Sequence, residues 1–243
     1  MTRLLERQAD LVEFMTSGSA IFGEGRDLPV GSSLQGIDPM LLRIEAHFSY
    51  AKRMEKITAV LPKTFALLGS REPGIVRAFV ESCPPTTINR LENARQFHEF
   101  LCSCWVRETP DPPYLRDVAA CEIAFAAVDG DGGERGSPPA GIAHGAGRGA
   151  VRRSPAIVLL RCAHDVRPIF ESDLGEAAPA QRDTPLVIAM PPGGQRPQVL
   201  EVIPPVFDLL AALDDWTDPP AAEGGFVNLL ADMASRGLIE VRR

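Results

Sequence analysis

The stretch Leu186-Val-Ile-Ala-Met190, Pro191-Pro-Gly-Gly-Gln-Arg-Pro197, Gln198-Val-Leu-Glu-Val-Ile203 decides the fold. Two short aliphatic and β-branched runs flank a segment of Pro and Gly. Such runs are too short for buried helices, and the connection suits a hairpin, so the spacing predicts two paired strands. A third run, Ala156-Ile-Val-Leu-Leu-Arg-Cys162, has the same character. Pro204-Pro205 then opens a helix bearing Val206, Leu209, Leu210 and Leu213, and a second helix over 226–236 stops at Gly237. Strands followed by helices make an α+β unit.

Upstream the pattern is helical. Leu4, Leu5, Leu11, Val12 and Met15 mark a short amphipathic helix ended by Thr16-Ser-Gly-Ser19, and the stretch 21–35 reads as irregular. Asp38-Pro39 offers an N-cap and a first-turn proline for a long helix. Its predicted apolar face is Met40, Leu41, Ile44, Phe48, Ala51, Met54 and Ile57. Pro62 breaks that helix, Gly69 ends a short successor, and Glu72-Pro73 begins another that stops before Pro84. Asn89 with Glu92 suggests a capping box for a helix carrying Leu91, Phe97, Phe100 and Leu101, and one more helix follows Pro113. The expected organisation is a helical domain over 1–128, a flexible Gly-rich linker over 129–154, and an α+β domain over 155–243.

Chemistry is sparse. The net charge of −7 over 243 residues argues against general nucleic-acid binding and anionic surfaces. No run is long enough to span a bilayer, and the first residues lack an apolar signal core, so a cytoplasmic protein is expected. Five cysteines, at 83, 102, 104, 121 and 162, make no disulfide framework, and Cys102-Ser-Cys104 lacks metal or redox spacing. His47, His98, His144 and His164 have no local partners that orient a nucleophile or complete a ligand set. Asp129-Gly-Asp131-Gly-Gly-Glu134 lacks a calcium loop's ligand pattern, and Gly145-Ala-Gly147-Arg-Gly149 lacks the Lys-Ser/Thr of a phosphate loop. Asp208, Asp214 and Asp215 read as a solvated helix face. No catalytic residue and no metal ligand is assigned.

An ordered series of motifs carries a resemblance. Ala51-Lys-Arg-Met-Glu-Lys-Ile-Thr-Ala-Val-Leu-Pro-Lys-Thr-Phe-Ala-Leu-Leu-Gly69, Phe79-Val-x-x-Cys-Pro-Pro85, Phe97-x-x-Phe100-Leu101 and Pro113-Tyr-Leu-x-Asp-Val-Ala119-x-x-Glu122 stand in the order of a family once labelled DNA-binding. The chain resembles its members that serve as MbnC/TglI-like partner subunits of multinuclear non-haem iron oxidases in ribosomal-peptide natural-product biosynthesis. Leu186 to Gly194, Val199 to Ile203 and Phe207 to Leu213 are similar to a PqqD-like precursor-peptide recognition element, a winged-helix-like fold with a three-stranded antiparallel sheet. Trp216-Thr-Asp-Pro-Pro220 departs from that pattern.

The resemblance implies that iron and catalysis reside in the partner enzyme, with no cofactor in this chain. It implies a hetero-oligomer in which the helical domain docks on the oxidase and the second domain holds a precursor peptide. An edge strand of Gln198, Val199, Leu200, Glu201 and Val202 could accept the peptide as a further strand. The facing helix would complete the groove with Phe226, Leu229, Leu230 and Met233. The alternative is a winged-helix transcriptional regulator, which should carry bases on its recognition helix. Residues 226–236 hold only Arg236.

Overall fold

The computed structural model describes residues 2–23, 33–34, 36–130, 149–171, 178–191, 194, 196–218 and 224–242. It is a mixed α+β protein that divides into two compact units, Met1–Pro113 and Tyr114–Arg243.

The first unit is helical. Helices α1 (Thr2–Thr16) and α2 (Gly18–Phe22) are separated by Ser17, whose hydroxyl caps α2 by accepting from the Ala20 N–H. The stretch read as irregular therefore starts with a helical turn, because a serine cap can restart a helix directly after a breaker. Helix α3 (Pro39–Val60) begins as expected, with the Asp38 carboxylate accepting from the Met40 N–H at 2.8 Å. Pro62 separates it from α4 (Pro62–Leu68), and a short 3-10 turn over Gly69–Arg71 leads into α5 (Glu72–Ser82). Helix α6 (Arg90–Cys104) is capped by Asn89, whose side chain accepts from the Glu92 N–H at 3.1 Å. Half of the expected capping box forms there, since the Glu92 carboxylate pairs forward with Arg95.

The core of this unit is aromatic. Phe97 stacks on Phe65 at 5.1 Å between ring centres and meets Phe79 edge-on at 4.9 Å. Above Phe79 lies the buried guanidinium of Arg53, held by Asn93, Gln96 and the Cys83 carbonyl. The face of α3 that packs inward is Leu42, Ala46, Arg53, Ile57 and Val60. This corrects the sequence expectation for the first half of the helix, where Met40 and Phe48 are 69% and 57% exposed. Two apolar arcs share α3, and helical spacing alone does not say which one finds a neighbour.

The second unit starts earlier than expected, at α7 (Leu115–Gly130), which packs on β2 (Ile157–His164) and β3 (Gln181–Ala189). Strands β2, β3 and β4 (Gln198–Glu201) form an antiparallel sheet in that order. A short α8 (Arg167–Glu171) lies in the β2–β3 connection, with Phe170 edge-on to Phe125 of α7. Side chains of β3 alternate between the two faces, yet Thr184 to Ala189 are all buried. The sheet is covered on both sides, so its central strand reads as a continuous apolar run.

The second face is covered by α9 (Pro204–Ala212), α10 (Gly224–Ser235) and a ribbon of β1 (Ala150–Arg153) with β5 (Ile239–Arg242). Val151, Val187, Leu210, Leu230 and Ile239 meet in this core. Residues 150–153 fell within the expected linker, but Val151 is buried and exchanges both backbone hydrogen bonds with Thr217 at 2.8 Å. Asp129 and Gly130 of that segment end α7, and 131–148 lies outside the described residues. Trp216, in the segment that departs from the recognition-element pattern, has the guanidinium groups of Arg152 and Arg242 over its ring at 4.7 and 4.9 Å.

Candidate functional site

The candidate site is the free side of β4, and the reason it is free starts with a proline. Pro185 of β3 stands opposite Val202, and its carbonyl accepts from the Val202 N–H at 3.1 Å. Proline has no N–H to return, so the ladder ends there, and Ile203 becomes the N-cap of α9 with Pro204 and Pro205 behind it. The Pro185–Val202 contact also sets the phase of the ladder. In an antiparallel pair, hydrogen-bonded and non-hydrogen-bonded residues alternate. Leu200 and Gln198 therefore point their backbone groups at Val187 and Ala189, following the observed register. Val199 and Glu201 point theirs away from the sheet. With the strand order β2-β3-β4, that side carries no ladder partner among the described residues.

The side chains sort accordingly. Leu200 and Val202 pack against the C-terminal core together with Phe226 and Leu229, all four half-buried. Leu230 and Met233 are only 1% and 2% exposed. They belong to the interior, so of the four helix positions only Phe226 and Leu229 remain partly accessible. Gln198 is exposed. Val199 and Glu201 project to the face on which α7 lies.

The Glu201 carboxylate is not available to a ligand. It pairs with Arg182 and, at 2.6 Å, with Arg167. Asp165 pairs with the same two arginines at 2.7 and 2.6 Å. The guanidinium of Arg167, and then that of Arg182, hold the Asp165 carboxyl well below the usual carboxylate range. The Arg182 hydrogen bond lowers Glu201 in the same direction. This cluster fastens the end of β4 to the β2–β3 connection, leaving Glu201 to act through its backbone. Sequence reasoning missed Asp165, Arg167 and Arg182, because no local pattern links a loop pair to a strand end.

Several other chemistry-bearing residues are engaged in structure, while His47 on α3 is exposed. His164 Nδ1 lies 2.9 Å from the Asp117 carboxylate. All five cysteines are free, and the hydrogen bond to Cys162 together with burial pushes the Cys121 thiol up, away from thiolate chemistry. Cys102 Sγ lies 3.6 Å from His98 Nε2 on one face of α6. Among the described residues no three His, Cys, Asp or Glu side chains are placed to share a metal ion. His144, Asp131 and Glu134, and all but Gly149 of the glycine-rich 145–149 run, lie outside the described residues. Helix α10 carries no base between Gly224 and Ser235, and Arg236 beyond its end pairs with Asp232 at 3.0 Å. No helix among the described residues is long and apolar enough to cross a membrane.

No protein-family model matches the chain, and no curated protein matches it at a significant level.

Proposed function

We propose that this chain is the non-catalytic partner subunit of a peptide-modifying oxidase. It would grip a ribosomally made precursor peptide and present the peptide's cysteine to a multinuclear non-haem iron enzyme. The observation that carries the reading is the unpaired backbone of Val199 and Glu201 on the free edge of β4. An extended peptide gains main-chain hydrogen bonds there, and the half-buried Phe226 and Leu229 offer apolar contact for its side chains. The order of three antiparallel strands followed by two helices is compatible with a winged-helix-like recognition element. The exposed stripe Met40, Leu41, Ile44 and Phe48 on α3 is suited to docking an enzyme, since apolar residues left in water favour a covered state. In this reading the iron and the redox chemistry belong to the partner and this chain contributes binding and orientation in the cytoplasm. Duplex recognition would need bases on α10, and it has none.

The test is co-expression with a candidate multinuclear iron oxidase and its precursor peptide encoded nearby. A stable complex of all three, with peptide turnover by the oxidase only in the presence of this chain, is the expected result. A chain that purifies alone and leaves turnover unchanged overturns the proposal.

A further inference from the structure

The helical unit contains a cavity of about 250 Å³ among α1, α2, α3, α5, the α5–α6 connection and the first turn of α6. Its walls include Met15, Ile21, Val80 and Ile88, so most of its surface is apolar. The volume exceeds the roughly 150 Å³ that admits benzene into a dry cavity. The lining holds Lys52, Arg53 and Lys56 and no carboxylate, in a chain whose net charge is −7. Arg53 is consumed by its three acceptors, and the Lys56 amine donates to the Ile88 carbonyl at 2.9 Å. Lys52 is exposed and pairs with no carboxylate among the described residues. A shallower hollow continues past Lys52 and Lys56 to Arg90, with Glu55 as its single acid.

From this arrangement we infer a second binding site, for an acidic peptide segment that buries one large apolar side chain in the cavity and lays flanking carboxylates along Lys52, Lys56 and Arg90. Each half of the argument is needed. An apolar cavity alone would accept any greasy side chain, whereas cations along its mouth repel basic segments and attract acidic ones. The site lies entirely in the first unit and stands independently of strand addition to β4.

The experiment uses the full chain and fluorescein-labelled probe peptides with a Glu-Glu-Phe-Glu-Glu centre, a Glu-Glu-Ser-Glu-Glu centre or a Lys-Lys-Phe-Lys-Lys centre, followed by anisotropy. The acidic Phe peptide should bind saturably, with the other two weaker by about tenfold or more, and its affinity should fall as salt is raised. Lys52→Glu should weaken it by about tenfold, while Lys52→Arg should stay within about twofold because the charge is kept. Unchanged thermal melting of both variants shows that folding is not the cause. Val199→Pro should leave this binding intact, which separates failure of this site from failure of the β4 reading. Equal binding of acidic and basic peptides, indifference to Lys52→Glu, or binding of free decanoate without binding of the peptide overturns the inference.

Discussion

His164 Nδ1 on β2 lies 2.9 Å from Asp117 Oδ2 on α7, and each side chain is only 12% exposed. The pair is a polar fastening of α7 to the sheet, beside the hydrogen bond between the buried Cys121 of α7 and Cys162 of β2. Asp117→Ala leaves the imidazole without its acceptor, and the expected cost is about 1–3 kcal/mol of unfolding free energy. Urea denaturation followed by circular dichroism checks it. A change indistinguishable from zero would mean that this pair does not fasten α7.

Acid should loosen the end of β4. The folded-state pKa of Asp165 lies below its ordinary 3.8, so its stabilisation is fully present above about pH 4 and is lost as pH falls further. Glu201 shifts in the same direction. Denaturation midpoints measured from pH 6 down to pH 3 should fall in the lower part of that range, and Asp165→Asn should flatten the fall. A parallel slope in wild type and variant would place the acid sensitivity elsewhere.

Arg53 is the buried cation of the helical unit, with three acceptors and the face of Phe79 as its surroundings. Arg53→Met removes the charge but strands Asn93 Oδ1 and the Cys83 carbonyl, so a loss on the order of 2–4 kcal/mol is expected. Arg53→Lys should recover only part of it, because one ammonium cannot reach three acceptors arranged for a planar fork. Chemical denaturation of both variants gives the comparison, and full recovery by lysine would show that charge, not geometry, is what matters.

The secondary elements were legible wherever punctuation was explicit. Asp38-Pro39 and Asn89 each sit at the helix start they suggest, and Pro62 sits at the break between α3 and α4. The hairpin of β3 and β4 follows from two aliphatic runs around a Pro-Gly segment. Which face of the first half of α3 is buried was not legible, since Leu42 and Ala46 compete with Met40, Ile44 and Phe48 at equally good helical spacing. Nor was β1, because Ala150 to Arg153 carries a single large apolar residue and gains its order from the distant partners Thr217 and Val241. In the candidate site, the edge position of β4 was readable, but the burial of Leu230 and the pairing of Glu201 with Arg167 are tertiary facts without a sequence signature.

Leu230 and Phe226 occupy the same helix yet should respond differently. Leu230 is enclosed by the core, so Leu230→Ala is expected to cost roughly 2–5 kcal/mol. Phe226 is half-buried at the edge of that core, and Phe226→Ser should cost clearly less while weakening any peptide held beside β4. Paired measurements of melting and peptide affinity separate the two roles. Similar destabilisation by both would assign Phe226 to packing.

Val199→Pro is the sharpest probe of the β4 edge. The Val199 N–H points away from β3, so proline removes a donor that the sheet itself does not use. Leu200→Pro removes one that the β3 ladder does use. Strand addition therefore predicts that Val199→Pro keeps the fold, with a melting curve near wild type, and weakens precursor-peptide binding by about tenfold or more. Leu200→Pro should lose both together. If Val199→Pro binds the peptide normally while remaining folded, the peptide does not pair with this edge, because a ladder through Val199 cannot survive the loss of its donor.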